Sequence, residues 1–166
     1  MSGGDPLADI LGDYRAFFGT QRTRLAGIGI SIEGCRLSHF AFRTLTWGEY
    51  LDVRGALERS ARANHENVWN GRPISKILLS EPLRPAEGFE VPMIELIPPM
   101  HQSVYRMGLE HTGVVIGEGV DDFAQRHRSV LTGQQYQGPI EPYFVRFPDF
   151  THVKFYRYSL FEACTM

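Results

Sequence analysis

The chain has 166 residues, 43% hydrophobic and 22% charged, enough to bury one sizeable core and typical of one compact domain. A net charge of −2 lacks the basic excess of a nucleic-acid-binding surface, and no apolar run approaches the roughly 18–20 residues that span a bilayer. The N-terminus has no basic and apolar leader, and Cys35 and Cys164 cannot build a disulfide framework, so a reducing, cytoplasmic setting is the expectation.

The first pattern is helical. Asp5-Pro6 reads as an N-cap followed by proline at the first helical position, where its missing N–H costs nothing. Leu7, Ile10, Leu11, Tyr14, Phe17 and Phe18 follow at spacings of three and four, which sets them on one face. Gly19 is the natural stop. After Glu33-Gly34, residues 37–43 read as a strand. Thr46 and Glu49 form a capping box for a second helix that ends near Ala63. Strands follow at 65–69, 73–79 and 90–97, with Asn70-Gly71 as a hairpin turn between the first two. A second block repeats this order. Residues 109–116 are a strand, about 119–131 a helix, Gly133 and Gly138-Pro139 turns, and 143–147 and 152–158 strands.

Leu37-x-His39 and Leu109-x-His111 stand 72 residues apart, each on a strand that feeds a helix. The pattern predicts an α+β fold of two β-α-β-β-β modules in a single domain over 1–166. Residues 5–36 form the N-terminal helix and lead-in, and 37–99 and 100–166 form the modules. Strand alternation sets His39, Ala41 and Arg43 on one face of the first strand, with Ser38, Phe40 and Phe42 opposite, under the helix that follows. His111 then shares a face with Leu109, Gly113 and Val115, and Gly113 leaves room beside it. Glu95 interrupts the apolar run Val91–Ile97, where an ionised carboxylate needs a cation or hydrogen bonds. Two histidines and one carboxylate on three strands suit a divalent ion with open positions. The set is typical of Fe(II) and compatible with Zn(II), Mn(II) or Ni(II). Taken singly, each histidine also fits a hydrogen-bonded structural role, and Glu95 fits a pair with Arg43. Arg43 is read as a clamp for a carboxylate, with rim pairing as its alternative. Arg72 is open between the two, and Lys76 is taken as solvated. His65, His101 and His127 are not expected to be ligands.

The segments Ser38-His39-Phe40-Ala41-Phe42-Arg43, Asn70-Gly71-Arg72-Pro73-Ile74, Ile94-Glu95-Leu96, Glu110-His111 and Val153-Lys154-Phe155 resemble the YecM-like family of the vicinal oxygen chelate superfamily. That resemblance implies a curved, mostly antiparallel sheet forming a cup, helices outside it, and a divalent metal at its floor. It implies ligands from the first and fourth strands of each module: His39, Glu95, His111 and a last-strand position. In much of the superfamily that last position is Glu. Here the strand reads His152-Val153-Lys154-Phe155-Tyr156, and Tyr156 is the candidate for the place, as a weak ligand or an acid/base group. Glu162 is read instead as half of a Ser159-x-x-Glu162 capping box. The implied activity is a metal-dependent enzyme, with Fe(II) ranked first and oxygenase chemistry ahead of isomerase or lyase chemistry. Glu95, Tyr156 and Arg43 are its catalytic candidates, and Arg43, Arg72 and Lys154 its contacts to a small substrate, expected to be a carboxylate. The alternatives are a metal-free binding protein or an inactive relative. No nucleic-acid or membrane partner is expected, and the chain suits a monomer or homodimer.

Overall fold

The computed structural model describes residues 4–69, 71–100, 105–136 and 140–165. Asn70 and Gly138-Pro139, named above as turn residues, and His101 lie outside the described residues. Helix α1 (Pro6–Leu11) is capped by Asp5, whose carboxylate accepts from the Leu7 N–H at 3.0 Å. Gly12, at φ 86°, ends it with a left-handed turn open mainly to glycine. Helix α2 (Tyr14–Gly27) restarts from Asp13 and runs through Gly19, with Ile28 as its cap. A glycine inside a helix costs only about 1 kcal/mol, and the buried stripe Leu7, Leu11, Tyr14, Phe18, Gln21, Leu25 continues across both helices and outweighs it.

The remaining elements follow the module plan. Strand β1 (Arg36–Arg43), helix α3 (Trp47–Glu58), β2 (Ala61–Trp69), β3 (Arg72–Ala86) and β4 (Phe89–Ile97) form the first module. Strand β5 (Gly108–Val115), helix α4 (Val120–Arg126), β6 (Gly133–Gln134), β7 (Tyr143–Arg146) and β8 (His152–Tyr156) form the second, followed by α5 (Leu160–Thr165). Residues 61–63 belong to β2 rather than to the preceding helix, because they pair with Leu78 and Leu79 of β3. Helix α4 is shorter than its apolar pattern suggests: after Arg126 the chain passes into turns in which Val130 and Leu131 still pack on the core.

The strands make one eight-stranded sheet in the order β2-β3-β4-β1-β5-β8-β7-β6. Within each module the first and last strands are parallel (β1 with β4, β5 with β8), and the other neighbours are antiparallel. The antiparallel β1–β5 seam joins the modules about an approximate two-fold axis. This is the α+β cup of paired βαβββ modules, with the helices outside and the polar face inside.

Phe40, fully buried on the outer face, meets the rings of Phe17, Phe18 and Tyr14 at 5.7, 6.3 and 6.4 Å. The N-terminal helices therefore cover β1. Helix α3, expected there, lies instead over β2–β4, where the Tyr50 hydroxyl meets Glu66 and Ser75 at 2.8 Å each. Truncating Phe40 to alanine removes the centre of that aromatic cluster, a class of change that costs about 3–5 kcal/mol.

Candidate metal and anion site

Two β-bulges build the floor of the cup. Between the pairs Leu37↔Val114 and His39↔Gly113, Ser38 is an extra residue on β1. Between Ala41↔His111 and Phe42↔Leu109, Glu110 is an extra residue on β5. Each bulge lies immediately before a histidine and breaks strict alternation there. Leu37 and Leu109 consequently join the core under the helices. Leu109 thus does not share the His111 face, and Ser38 does not turn away from His39. Instead the Ser38 Oγ lies 2.7 Å from His39 Nδ1, and a Glu110 carboxylate oxygen lies 3.2 Å from His111 Nδ1. The Leu160 N–H donates to the same Ser38 Oγ at 2.8 Å. Both imidazoles are thus held at Nδ1, which fixes the ring and leaves Nε2 free to point inward.

The inward atoms converge. His39 Nε2 and His111 Nε2 are 3.3 Å apart, and the Glu95 Oε1 atom is 3.8 Å from the first and 3.4 Å from the second. A triangle with these sides has a circumscribed radius of about 2.0 Å, which is the Zn–N and metal–carboxylate bond length. The donor set of two imidazoles and one carboxylate therefore fits a first-row divalent ion. Both histidine side chains are buried, at 0% and 1% exposure, while Glu95 retains 14%. Burial drives the His39 imidazole down to about 3, against the pull of Glu95, so it is neutral at ordinary pH. Burial alone would raise the Glu95 carboxyl, but His111 and His39 outweigh it and hold the group well below the usual carboxylate range. Neutral imidazoles and an ionised carboxylate are the forms that ligate.

Gly113 makes this packing possible. A Cβ at that position would stand 2.5 Å from His39 Cε1 and 2.7 Å from Nδ1. The room it leaves serves His39 across the seam, while His111 lies opposite Ala41.

The remaining candidates take distinct places. Tyr156 is buried with its ring 5.6 Å from that of His39, and burial, reinforced by Glu95, raises its hydroxyl well above the ordinary value. The register gives the last-strand place to another residue. Glu95 is opposite Ala41 across β1–β4, and Lys154 is opposite Gly113 across β5–β8, so Lys154 is the two-fold counterpart of Glu95. Its ammonium donates to Gln135 Oε1 at 3.1 Å. Arg43 spends Nε and Nη2 on Glu110 and stacks 4.5 Å over Tyr105, leaving a buried Nη1 without a partner among the described residues. Arg72 donates to the Pro99 carbonyl at 3.2 Å near the same rim. Lys76, taken from the sequence as solvated, is 4% exposed and donates to Asn67 Oδ1. Its position opposite Glu95 on β3–β4 directs it into the cup.

Sequence reasoning assigned no site role to Glu110 or His152. His152 stacks on His111 at 4.5 Å, and burial brings its imidazole down to about 2. Both sit beside His111 in sequence or register, but strand alternation assigns Glu110 to the wrong face, and only the bulge corrects it. Glu162 and Ser159 form the reciprocal capping box of α5, with Ser159 N–H to carboxylate at 2.9 Å and Glu162 N–H to hydroxyl at 3.1 Å.

Above the floor a cleft of about 110 Å³ opens to solvent, lined by Trp69, Ile74, Lys76, Glu95, Lys154 and Tyr156 among others. No helix among the described residues is long and apolar enough to cross a membrane.

Comparison with known proteins gives the following. The family model described as YecM protein matches residues 6–147. No curated protein matches the chain. Among solved structures, a structural-genomics protein named EC4020 is similar at 23% identity with a TM-score of 0.80, over 97% of this chain and 92% of its own. A Bacillus subtilis protein given the provisional description of a dioxygenase aligns at 9% identity and a TM-score of 0.48, over 75% of this chain and 41% of its own. A mutant of the Listeria monocytogenes fosfomycin resistance protein FosX, complexed with Mn(II) and 1S,2S-dihydroxypropylphosphonic acid, aligns at 14% identity and a TM-score of 0.29, over 76% of this chain and 93% of its own.

Proposed function

This chain belongs to the YecM family, and on that footing we propose that it is a divalent-metal-dependent enzyme of the vicinal oxygen chelate type. In this reading His39, Glu95 and His111 are the metal ligands, and the substrate is a small, anionic, oxygen-bearing molecule. The observation that carries it is the convergence of three donor atoms within 3.8 Å of one another on a buried floor. A bound Fe(II), or Mn(II), Zn(II) or Ni(II) in its place, would supply Lewis-acid polarisation of substrate oxygens.

The chain's own residues do the rest. Ser38 and Glu110 hold the two imidazoles at Nδ1, so their Nε2 lone pairs are presented without reorganisation. The floor lies beneath the cleft, so substrate enters from the open side while the helices seal the other. Tyr156, protonated at neutral pH, can donate a hydrogen bond to a developing oxyanion, and Glu95 is the nearby base. Three ligands leave room for substrate and a second small ligand, which ranks oxygenase chemistry ahead of isomerase or lyase chemistry.

One observation favours a second reading. Lys154 stands where two-fold symmetry would place another carboxylate, which suits a metal-free protein that sequesters anions.

Elemental analysis of untagged protein separates the two. About one equivalent of a first-row divalent metal per chain is expected, and His39→Ala and His111→Ala should lose it while keeping the folded circular-dichroism spectrum. Wild-type protein that neither carries such a metal nor binds one on titration overturns the enzyme reading.

A further inference from the structure

Of the chain's 17 basic side chains, 15 are arginine and only two are lysine, and both lysines line the same cleft. Several arginines outside it are ion-paired: Arg36 with Glu162, and Arg157 with Glu118 and Asp121. The lysines are not. Lys76 donates to Asn67 Oδ1 and at 3.5 Å to the Ile74 carbonyl, and Lys154 donates to Gln135 Oε1. All three acceptors are neutral. Among the described residues neither ammonium has a carboxylate within ion-pair distance, although Lys76 is 4% exposed. An ammonium removed from water and met only by amide oxygens is poorly compensated, and two of them in one cleft compound the cost.

The one carboxylate between them is Glu95, which faces the two histidines. Counted over its lysine and carboxylate side chains alone, the cleft carries a surplus of one positive charge. A divalent ion on the floor would raise it to three. Trp69 and Ile74 form an apolar stretch of wall beside the cations, so the cleft joins a charged half to a half suited to carbon. Lysine is a compact point charge with rotatable donors, suited to anionic oxygens whose placement is fixed by other contacts.

We propose that the cleft binds a small dianion, either a dicarboxylate or a phosphoryl compound, through Lys76 and Lys154. This rests on the same cup as the enzyme reading but not on the metal, and the test is arranged to keep the two apart. The full chain is stripped of metal by chelation, dialysed, and titrated calorimetrically with succinate, with its near-isosteric monoanion succinamate, and with inorganic phosphate. At least one dianion should bind about tenfold or more tightly than succinamate, and which of them does so distinguishes the dicarboxylate from the phosphoryl class. Lys154→Gln and Lys76→Gln should each bring that dianion down to the level of succinamate, while the metal content of separately loaded samples stays at the wild-type value. Equal affinities for dianions and monoanion in the wild-type protein, or no measurable binding of any, overturn the proposal without the variants having to fold. Unaltered dianion binding in both folded variants overturns it too. Absence of metal from the wild type leaves this test intact and sinks only the enzyme reading.

Discussion

The two modules share one backbone plan and differ at the positions that matter chemically. Each has a bulge one residue before its inward histidine, but the bulged residue is Ser38 in the first and Glu110 in the second. Each places a residue of its last strand opposite the position two beyond that histidine, but this is Glu95 in the first and Lys154 in the second. The position itself is Ala41 in one and Gly113 in the other. The flanking hairpin is long in the first module, with strands of 9 and 15 residues, and short in the second, with strands of 2 and 4. At this pair of last-strand counterparts a symmetric scaffold has been made electrostatically one-sided: the first module brings a carboxylate, the second a cation. Breaking each pair of counterparts in turn tests how far that asymmetry reaches.

The largest effect is expected from acid, because each module buries a neutral imidazole. Burial lowers His39 from 6.5 to about 3 and His152 from 6.5 to about 2. Unfolded chains take up protons at these groups near pH 6.5 while the folded, metal-free protein does not. The unfolded state therefore binds more protons between about pH 6.5 and 3, and stability falls as pH falls through that window. Each group contributes up to about 1.4 kcal/mol per pH unit, so the pair can exhaust the stability of an ordinary domain by about pH 4. Urea midpoints of metal-free protein between pH 7 and 4 should drop steeply, and His152→Phe should flatten the slope by about half. A flat profile would mean that the imidazoles are hydrated.

Next comes the seam. Gly113→Ala puts a methyl group 2.5 Å from the His39 ring, on the side where the Ser38 hydroxyl holds Nδ1. We expect about 1–3 kcal/mol of destabilisation from overpacking and a loss of divalent-metal affinity of about 100-fold or more as the ring moves. Ala41→Gly at the counterpart position should cost no more than about 1 kcal/mol and leave metal content intact. Thermal melts and metal titrations of the two variants, side by side, check the contrast. Equal behaviour would show that the seam is softer than its contacts imply.

The bulged residues come third. A carboxylate behind a metal-binding imidazole raises its basicity more than a hydroxyl does. Glu110→Gln should therefore weaken metal binding by about 10–100-fold and Ser38→Ala by less. Glu110 also neutralises Arg43, so the Gln variant should lose stability as well. Competitive chelator titrations supply the numbers, and a larger loss in Ser38→Ala would reverse the assignment of roles.

Much of this was legible in the sequence. The module order, the N-cap at Asp5, the capping boxes at Thr46 and Ser159, and the place of His39, Glu95 and His111 on three separate strands follow from spacing and periodicity. Their convergence to within 3.8 Å does not, because it depends on how β1, β4 and β5 lie side by side. The bulges were illegible for a local reason: nothing in Leu37-Ser38-His39 or Leu109-Glu110-His111 marks an extra residue, and alternation read through them misplaces Leu109, Ser38 and Glu110. Helix α2 ran past Gly19 because tertiary burial of Gln21 and Leu25 overrides a propensity cost of about 1 kcal/mol. Lys76 looked like a solvated lysine because its burial is set by walls that the chain supplies from β4 and β8, far away in sequence.

The smallest effect tests the central difference directly. Lys154→Glu would give the second module the carboxylate that Glu95 gives the first. The register places the new side chain opposite Gly113, as Glu95 lies opposite Ala41, so its reach toward the floor is set by the same backbone geometry. In the metal-free protein the substitution sets two carboxylates facing one another and removes a cation that acts on Glu95, so stability should fall. With a divalent ion bound the same two charges become favourable, and affinity should rise by about tenfold. Opposite signs for the metal-free and loaded proteins are a signature that a merely disruptive substitution cannot produce, because disruption lowers both. If Lys154→Glu weakens metal binding, then the second module's lysine is fixed by the packing of Gln135 against it. The asymmetry would then be structural before it is chemical.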